Sequence, residues 1–360
     1  MIIPKAISSN KSILMVGPHP NGMGGISKVV KLWVSSGILR EHHVRYISSV
    51  VDGYPQKLFQ FTGSLMLFTI LLLSNYKTAY IHTASHKSFV RKSFFIFIAL
   101  LMRRKTILHI HPSFFYTYIL NIKGLWKWIT YRMLNAINTF VVLTPGMRND
   151  MLSLFPDKKI YVLPNPVDIQ TFQKDVDQPR EKNKILYLGR YSKTKGAYDL
   201  VDAIGLLHNQ GVHIDSDFYG NGEVNDLRLY VRDKRLNNCI TIHDWVDDQV
   251  KIQALKSSTV LALPSHTEGM PIVILEAMAA QTPILSTLAG GLKDILKDKE
   301  NAVIHDVMNP ADLSEKLNLI LNDQHLREKI TSNAFRQAKK EYDITVIKVK
   351  FKNVIKDLDN

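Results

Sequence analysis

The stretch Leu263-Pro-Ser-His-Thr-Glu268-Gly-Met-Pro271-Ile-Val-Ile-Leu-Glu276-Ala-Met-Ala279 reads as the end of a strand, a tight loop and the start of a helix. Thr259 to Leu263 has the apolar run of a short buried strand, and Gly269 permits a sharp turn. Pro271 suits the first helical position, where a missing N–H costs nothing. Glu268 precedes the helix and Glu276 lies about a turn and a half inside it. A ligand resting on the unpaired N–H groups around Gly269, Met270 and Pro271 could therefore meet both carboxylates, which accept hydrogen bonds from sugar and ribose hydroxyls.

Outward from this junction, the chain alternates short apolar runs with helical patterns, which predicts two α/β units with parallel sheets. In the first half, residues 12–16, 44–48, 79–82, 105–111 and 139–143 read as strands. In the second, residues 185–188, 213–218, 239–242, 259–263, 283–286 and 302–304 do so. Helical patterns fill 311–321, 324–340 and 344–358, and the polar, proline-interrupted stretch 172–184 reads as the linker. The expected domains are 1–175 and 176–343. A length of 360 residues suits two domains of ordinary size.

Charge is uneven. Residues 1–175 hold 21 of the 46 Lys and Arg but 6 of the 32 acidic residues, so this half carries the net charge of the chain. Such asymmetry points to a polyanionic partner: an anionic membrane surface, a diphosphate-bearing substrate or nucleic acid. Nucleic acid is set aside, because no zinc-finger spacing, helix-turn-helix signal or RNA-binding aromatic pair accompanies the charge. The single Cys239 excludes an intramolecular disulfide framework and suggests a reducing compartment. Residues 13–16 are too short an apolar run for a signal peptide, so a cytoplasmic location is expected. Residues 58–76 and 94–102 are apolar and read as helices covering a sheet, one face of which could also touch lipid, and 125–134 mixes Trp, Tyr, Lys and Arg as an interfacial helix or an ordinary amphipathic surface helix does. Peripheral attachment to the inner face of the cell membrane, released by high salt, is the expectation.

Ligands of open parallel sheets settle at the carboxyl ends of strands, and the polar residues of interest sit there. Gly24 and Gly25 follow the first strand, His109 and His111 share one face of the fourth with His111 at its end, and Arg190 and Lys195 follow the first strand of the second domain. Two cations there can neutralise a leaving diphosphate. Singly, each feature is also what a solvated loop or a steric turn provides.

Together they carry a resemblance. The Glu268 to Glu276 element resembles the E-x7-E motif of the retaining nucleotide-sugar glycosyltransferases of family 4, and Gly-Arg190-x4-Lys195-Gly196 resembles their G-R-x4-K-G motif. Leu163-Pro-Asn165-Pro-Val-Asp168, Ile242-His-Asp-Trp245-Val246 and Ala289-Gly290-Gly291 are similar to further family segments in the same order, with Pro166 and Asp294 as departures, and between them Tyr219-Gly220-Asn-Gly222 resembles the family's G-x-G turn. The resemblance implies the GT-B arrangement of two Rossmann-like domains facing across a cleft, the last helix completing the first domain. It implies that Glu268 and His111 orient the donor sugar, and that Glu276 holds the ribose. Gly24, Gly25, Arg190 and Lys195 would meet the diphosphate, with Gly220, Val246, Gly269, Met270 and Pro271 completing the donor site. Pro112 stands where the family has Gly after its His. His82, Ser85, Arg91 and Lys92 are similar to a segment of polysaccharide-assembly members and could receive a lipid-diphosphate acceptor, although a solvated helix start explains them as well. The implied activity is transfer of a sugar from a nucleotide diphosphate, with retention, to a polyprenyl-linked glycan in capsule, exopolysaccharide or O-antigen assembly. No Asp-x-Asp motif is present, so no cofactor and no metal are expected. Two alternatives remain open at this point: a sugar-nucleotide epimerase of the same fold, and a non-catalytic membrane-associated partner of another transferase.

Overall fold

The computed structural model describes residues 13–49, 56–74, 76–173 and 180–357. It divides into two compact units: residues up to Pro166 together with those from Ile344 onward, and Val167–Asp343.

The first unit has six parallel strands, β1 (Ile13–Gly17), β2 (Val44–Ser48), β3 (Thr78–Thr83), β4 (Lys105–Ile110), β5 (Thr139–Val142) and β6 (Lys159–Val162), in the order 2-1-3-4-5-6. Burial on both faces explains their near-continuous apolar sequence. The chain runs one way from β1 to β2 and the other way from β2 through β6. Right-handed crossovers therefore put the helix Gly25–Ser35 on one face and the helices Gln56–Leu73, Lys87–Leu101 and Gly124–Ala136 on the opposite one. The last helix, Ile344–Lys356, joins the first of these faces: Phe351 packs on Trp33 at 4.9 Å between ring centroids, and Lys348 pairs with Glu41 at 2.9 Å. Strand β6 was missed in the sequence because Lys159-Ile-Tyr-Val is short and starts with an exposed charge.

The second unit has β7 (Lys184–Tyr191), β8 (Asp215–Gly222), β9 (Ile240–His243), β10 (Val260–Leu263), β11 (Ile284–Ser286) and β12 (Val303–Ile304), all parallel, in the order 12-11-10-7-8-9. Numbered from its own first strand this is 3-2-1-4-5-6 reversed, the dinucleotide-fold order, whose switch point falls between β7 and β10.

The boundary lies at 166/167, earlier than the 175/176 read from composition. Val167 bridges Asp343, and the helix Ile169–Gln173 docks on the helix Ile272–Ala279, with Gln173 donating to the carbonyl of Ala279 at 3.1 Å. Of the expected linker, residues 174–179 lie outside the described residues. The rest is ordered by the second unit. The Arg180 guanidinium donates to the carbonyls of Leu255, Lys256, Ser258, Ala280 and Gln281, which cap the ends of two helices, and Lys184 opens β7.

Candidate functional site

At the switch point of the second unit the loops after β7 and β10 are locked together. Gly196 has φ +69°, and a Cβ there would stand 2.1 Å from the carbonyl oxygen of Pro264, so only glycine lets the two loops approach. His266 N–H donates to the carbonyl of Thr194 at 3.0 Å, and the His266 ring meets Asp199 at 2.6 Å. This contact brings Lys195 Nζ to 2.7 Å from Glu268 Oε1. Ser265 Oγ donates to the same oxygen at 2.8 Å, and Gly291 N–H donates to the Glu268 carbonyl at 2.9 Å. Ser286 and Thr287 hold the loop from behind by donating to the carbonyls of Leu263 and Ser265. Glu268 is 9% exposed, and Lys195 and Ser265 both bond to its Oε1.

The helix after this loop runs Ile272–Ala279 with Pro271 at its N-cap, one residue from the expected start. Gly269 and Pro271 are half-buried and Met270 is buried. Glu276 is 3% exposed and pairs with Lys251 at 2.9 Å, a lysine that also holds Asp248 at 3.0 Å. Sequence reading missed Lys251, since nothing in the chain ties a lysine 25 residues upstream to this carboxylate. Ser265 was legible in principle, because Ser-x-x-Glu is the spacing of a local side-chain pair.

Two glycines that read as a turn are strand residues. β8 continues through Gly222, in register with β7 from Lys184↔Asp215 to Tyr191↔Gly222. A Cβ on Gly220 would fall 1.9 Å from the Gly189 carbonyl oxygen, so Gly220 is required by strand packing. Arg190 is correspondingly a residue of β7, exposed, with its stem over Gly222. Val246 is half-buried in the loop after β9, beside the exposed Trp245.

In the first unit, Gly24 caps the helix Gly25–Ser35 with φ +135°, and Gly25 has open space where a side chain would be. His111 follows β4 immediately, and its N–H donates to the Thr83 carbonyl at 3.1 Å. His82 is buried on the neighbouring strand, its Nδ1 2.9 Å from His111 Nε2. His109 stacks on His111 with centroids 4.3 Å apart and is bonded to the Tyr80 hydroxyl at 3.0 Å. Burial pushes His111 down to about 3. Burial also pushes His82 and His109 well below the ordinary range, helped by the neighbouring bases, so all three rings are neutral at pH 7. One ring nitrogen of each histidine lies within 4.8 Å of the other two, which makes them the group of metal-ligating type among the described residues. His82 Nδ1 and His111 Nε2 are already bonded to each other and His109 Nδ1 to the Tyr80 hydroxyl, so an ion using those nitrogens would have to replace these hydrogen bonds.

The four residues proposed to meet an acceptor part company. Arg91 is exposed and Ser85 half-buried, whereas His82 and Lys92 are interior. Lys92 Nζ donates to Ser49 Oγ, which in turn donates to the Gly17 carbonyl at 2.9 Å, and burial pushes Lys92 down to about 7. Adjacent positions on a helix face about 100° apart, which is why Arg91 and Lys92 separate.

Comparison with known proteins agrees with this architecture. A family model described as "Glycosyl transferases group 1" matches residues 168–337, and one described as "Glycosyltransferase Family 4" matches residues 30–171. The chain is similar to the capsular polysaccharide biosynthesis glycosyltransferase CapM of Staphylococcus aureus, 24% identical over 63% of this chain and 64% of that protein. It is also similar to a Campylobacter jejuni α-1,4-N-acetyl-D-galactosaminyltransferase named for a diphospho-undecaprenol-linked glycan, 27% identical over 56% of each. The chain thus spans less than two thirds of the length of these curated relatives. Among solved structures, Anabaena HepE in complex with UDP and glucose superposes with TM-score 0.73 at 17% identity, covering 96% of this chain and 100% of that one, a likeness of fold. Glycosyltransferase family models thus match both units, together over residues 30–337, and the fold is that of the GT-B glycosyltransferases.

Proposed function

We propose that the protein transfers a sugar from a nucleoside diphosphate to a polyprenyl-linked glycan in cell-surface polysaccharide assembly, with retained anomeric configuration and without a metal ion. The observation that carries the reading is Lys195 and Glu268 at 2.7 Å on the switch point of the second sheet, clamped there by the contact of Gly196 with Pro264. The leaving nucleotide gains negative charge as the anomeric bond breaks, and fixed cations stabilise that charge. Arg190 and Lys195 supply them in place of a metal. For Lys195 to do so, the donor competes with Glu268 for the ammonium, releasing a carboxylate that can accept a sugar hydroxyl. Glu276 is assigned to the ribose, which then displaces Lys251 or shares the carboxylate with it. His111 is assigned to the sugar, with His82 fixing its ring. Support for the donor and acceptor classes comes from the UDP and glucose of HepE and the undecaprenol-linked glycan in the Campylobacter relative's name. Retention is assigned to attack on the same face, with the leaving phosphate assisting removal of the acceptor proton.

The test is a thermal-shift panel of UDP, GDP, ADP and dTDP sugars, followed by transfer assays with a polyprenyl-diphosphate acceptor and NMR of the product anomer. One donor should stabilise the protein, and transfer should persist in EDTA. An epimer formed from donor alone would replace this reading with isomerisation, and dependence on an added divalent ion would remove the metal-free assignment.

A further inference from the structure

The outer face of the three-helix layer on the first unit is apolar where a soluble protein's surface is polar. On Gln56–Leu73, Met66, Ile70 and Leu73 recur at spacings of four and three, with Leu73 71% exposed. On Lys87–Leu101, Phe94, Phe97 and Leu101 repeat the same spacing, with Leu101 also 71% exposed. On Gly124–Ala136, Leu125 and Trp128 continue it at 73% and 59%. These helices pack side by side, as Phe61 against Phe94 and Phe95 shows for the first two, and crossover handedness puts all three on one face of the sheet. Stripes on three neighbouring helices form one patch, unlike the scattered hydrophobics of ordinary surfaces.

The charge of the same region selects the occupant. Residues 53–149 contain twelve Lys and Arg and no Asp or Glu. Lys87, Arg91, Arg103, Lys123, Lys127 and Arg132 are exposed around the patch, and the Arg132 guanidinium lies 5.4 Å from the centre of the Trp128 ring. Apolar side chains ringed by cations with no anion among them fit a leaflet of anionic lipid: acyl chains take the former and headgroups the latter. Among the described residues no helix is long and apolar enough to cross a membrane.

We propose that this three-helix face inserts its apolar side chains into an anionic lipid leaflet, on the cytoplasmic side of the cell membrane, so that attachment is hydrophobic as well as electrostatic. The consequence differs from the release by salt expected from charge alone. Screening weakens the ring of cations and leaves the inserted side chains in place.

The test is flotation of the full chain with vesicles of 30% phosphatidylglycerol in phosphatidylcholine, at 0.1 M and 1 M NaCl. Wild type should float at both, with its tryptophan fluorescence quenched by brominated acyl chains. The variant Phe97→Ser/Leu101→Ser/Trp128→Ser, checked for native circular dichroism, should partition at least tenfold less. Complete release at 1 M NaCl would overturn insertion. A wild-type dimer by light scattering that the triple variant abolishes, with no flotation of either, would assign the face to a second copy. The substituted residues touch no candidate donor residue, so donor binding in the same variant should be unchanged. Failure of docking and failure of the transferase reading are thereby separable.

Discussion

The two units hold polar side chains at their sheet ends by opposite means. In the second unit each buried carboxylate of the donor motif has a cation: Lys195 for Glu268, Lys251 for Glu276. In the first, His82, His109, His111 and Lys92 are buried with no carboxylate acting on them, and desolvation keeps the histidines neutral. A paired charge is vulnerable to loss of its partner, and a neutral buried base is vulnerable to its proton. The difference tells where mutation should act and where pH should.

The largest effect is expected at the pair. Lys195→Ala should lower the rate of transfer by about 10²–10³-fold, the scale of one lost transition-state donor. It should also destabilise the second unit by about 1–3 kcal/mol, because the buried Glu268 loses a partner. Adding Glu268→Ala should recover most of the stability and none of the activity, measured by denaturant titration and initial rates. If stability is not recovered, the contrast between the units is not one of paired charge.

Next in size is acid sensitivity of the first unit. Its histidines have folded pKa values below the unfolded 6.5, so the unfolded chain binds more protons as pH falls below that value. Stability is whole above 6.5 and declines as pH falls toward 3, by up to about 1.4 kcal/mol per pH unit for each proton taken up. Hydrogen exchange should show the amides of β3 and β4 losing protection between pH 6.5 and 4.5, ahead of β7 and β10. Simultaneous loss would break the comparison.

The narrowest effect, confined to one side chain, sharpens it. Lys92 is held near 7 in the fold and titrates near 10.5 when unfolded, so wild type should gain stability as pH rises from 7 to 10.5. Lys92→Met should remove this rise and make the fold more stable than wild type at pH 7, by as much as about 4 kcal/mol, since a chain of similar volume is buried without giving up a proton. Chemical denaturation at three pH values measures it.

Much of the fold was legible because parallel strands buried on both faces leave continuous apolar runs. Of the twelve strands among the described residues eleven were located, and β2 was placed residue for residue. What misled was glycine. Gly220 and Gly222 read as a turn, yet β8 runs through both, because glycine also marks where two strands approach too closely for any side chain. The boundary after residue 166 was hidden for a different reason: the helix Ile169–Gln173 is polar enough to pass for linker, and only its docking on Ile272–Ala279 assigns it.

By itself the sequence determined the α/β class, the position of Gly24, His111, Lys195 and Glu268 in the turns that follow strands, and the basicity of the first half. Those properties depend on neighbours one to four residues away, which the chain displays directly. The tertiary structure alone decided that Lys195 would reach Glu268 across 73 residues, that Lys251 would hold Glu276, and that His82 would meet His111 across 29. It also separated Lys92 from Arg91 and gathered three apolar stripes onto one face. Such pairings follow from strand order and crossover handedness, which bring distant segments to the same sheet edge and leave no trace in local spacing.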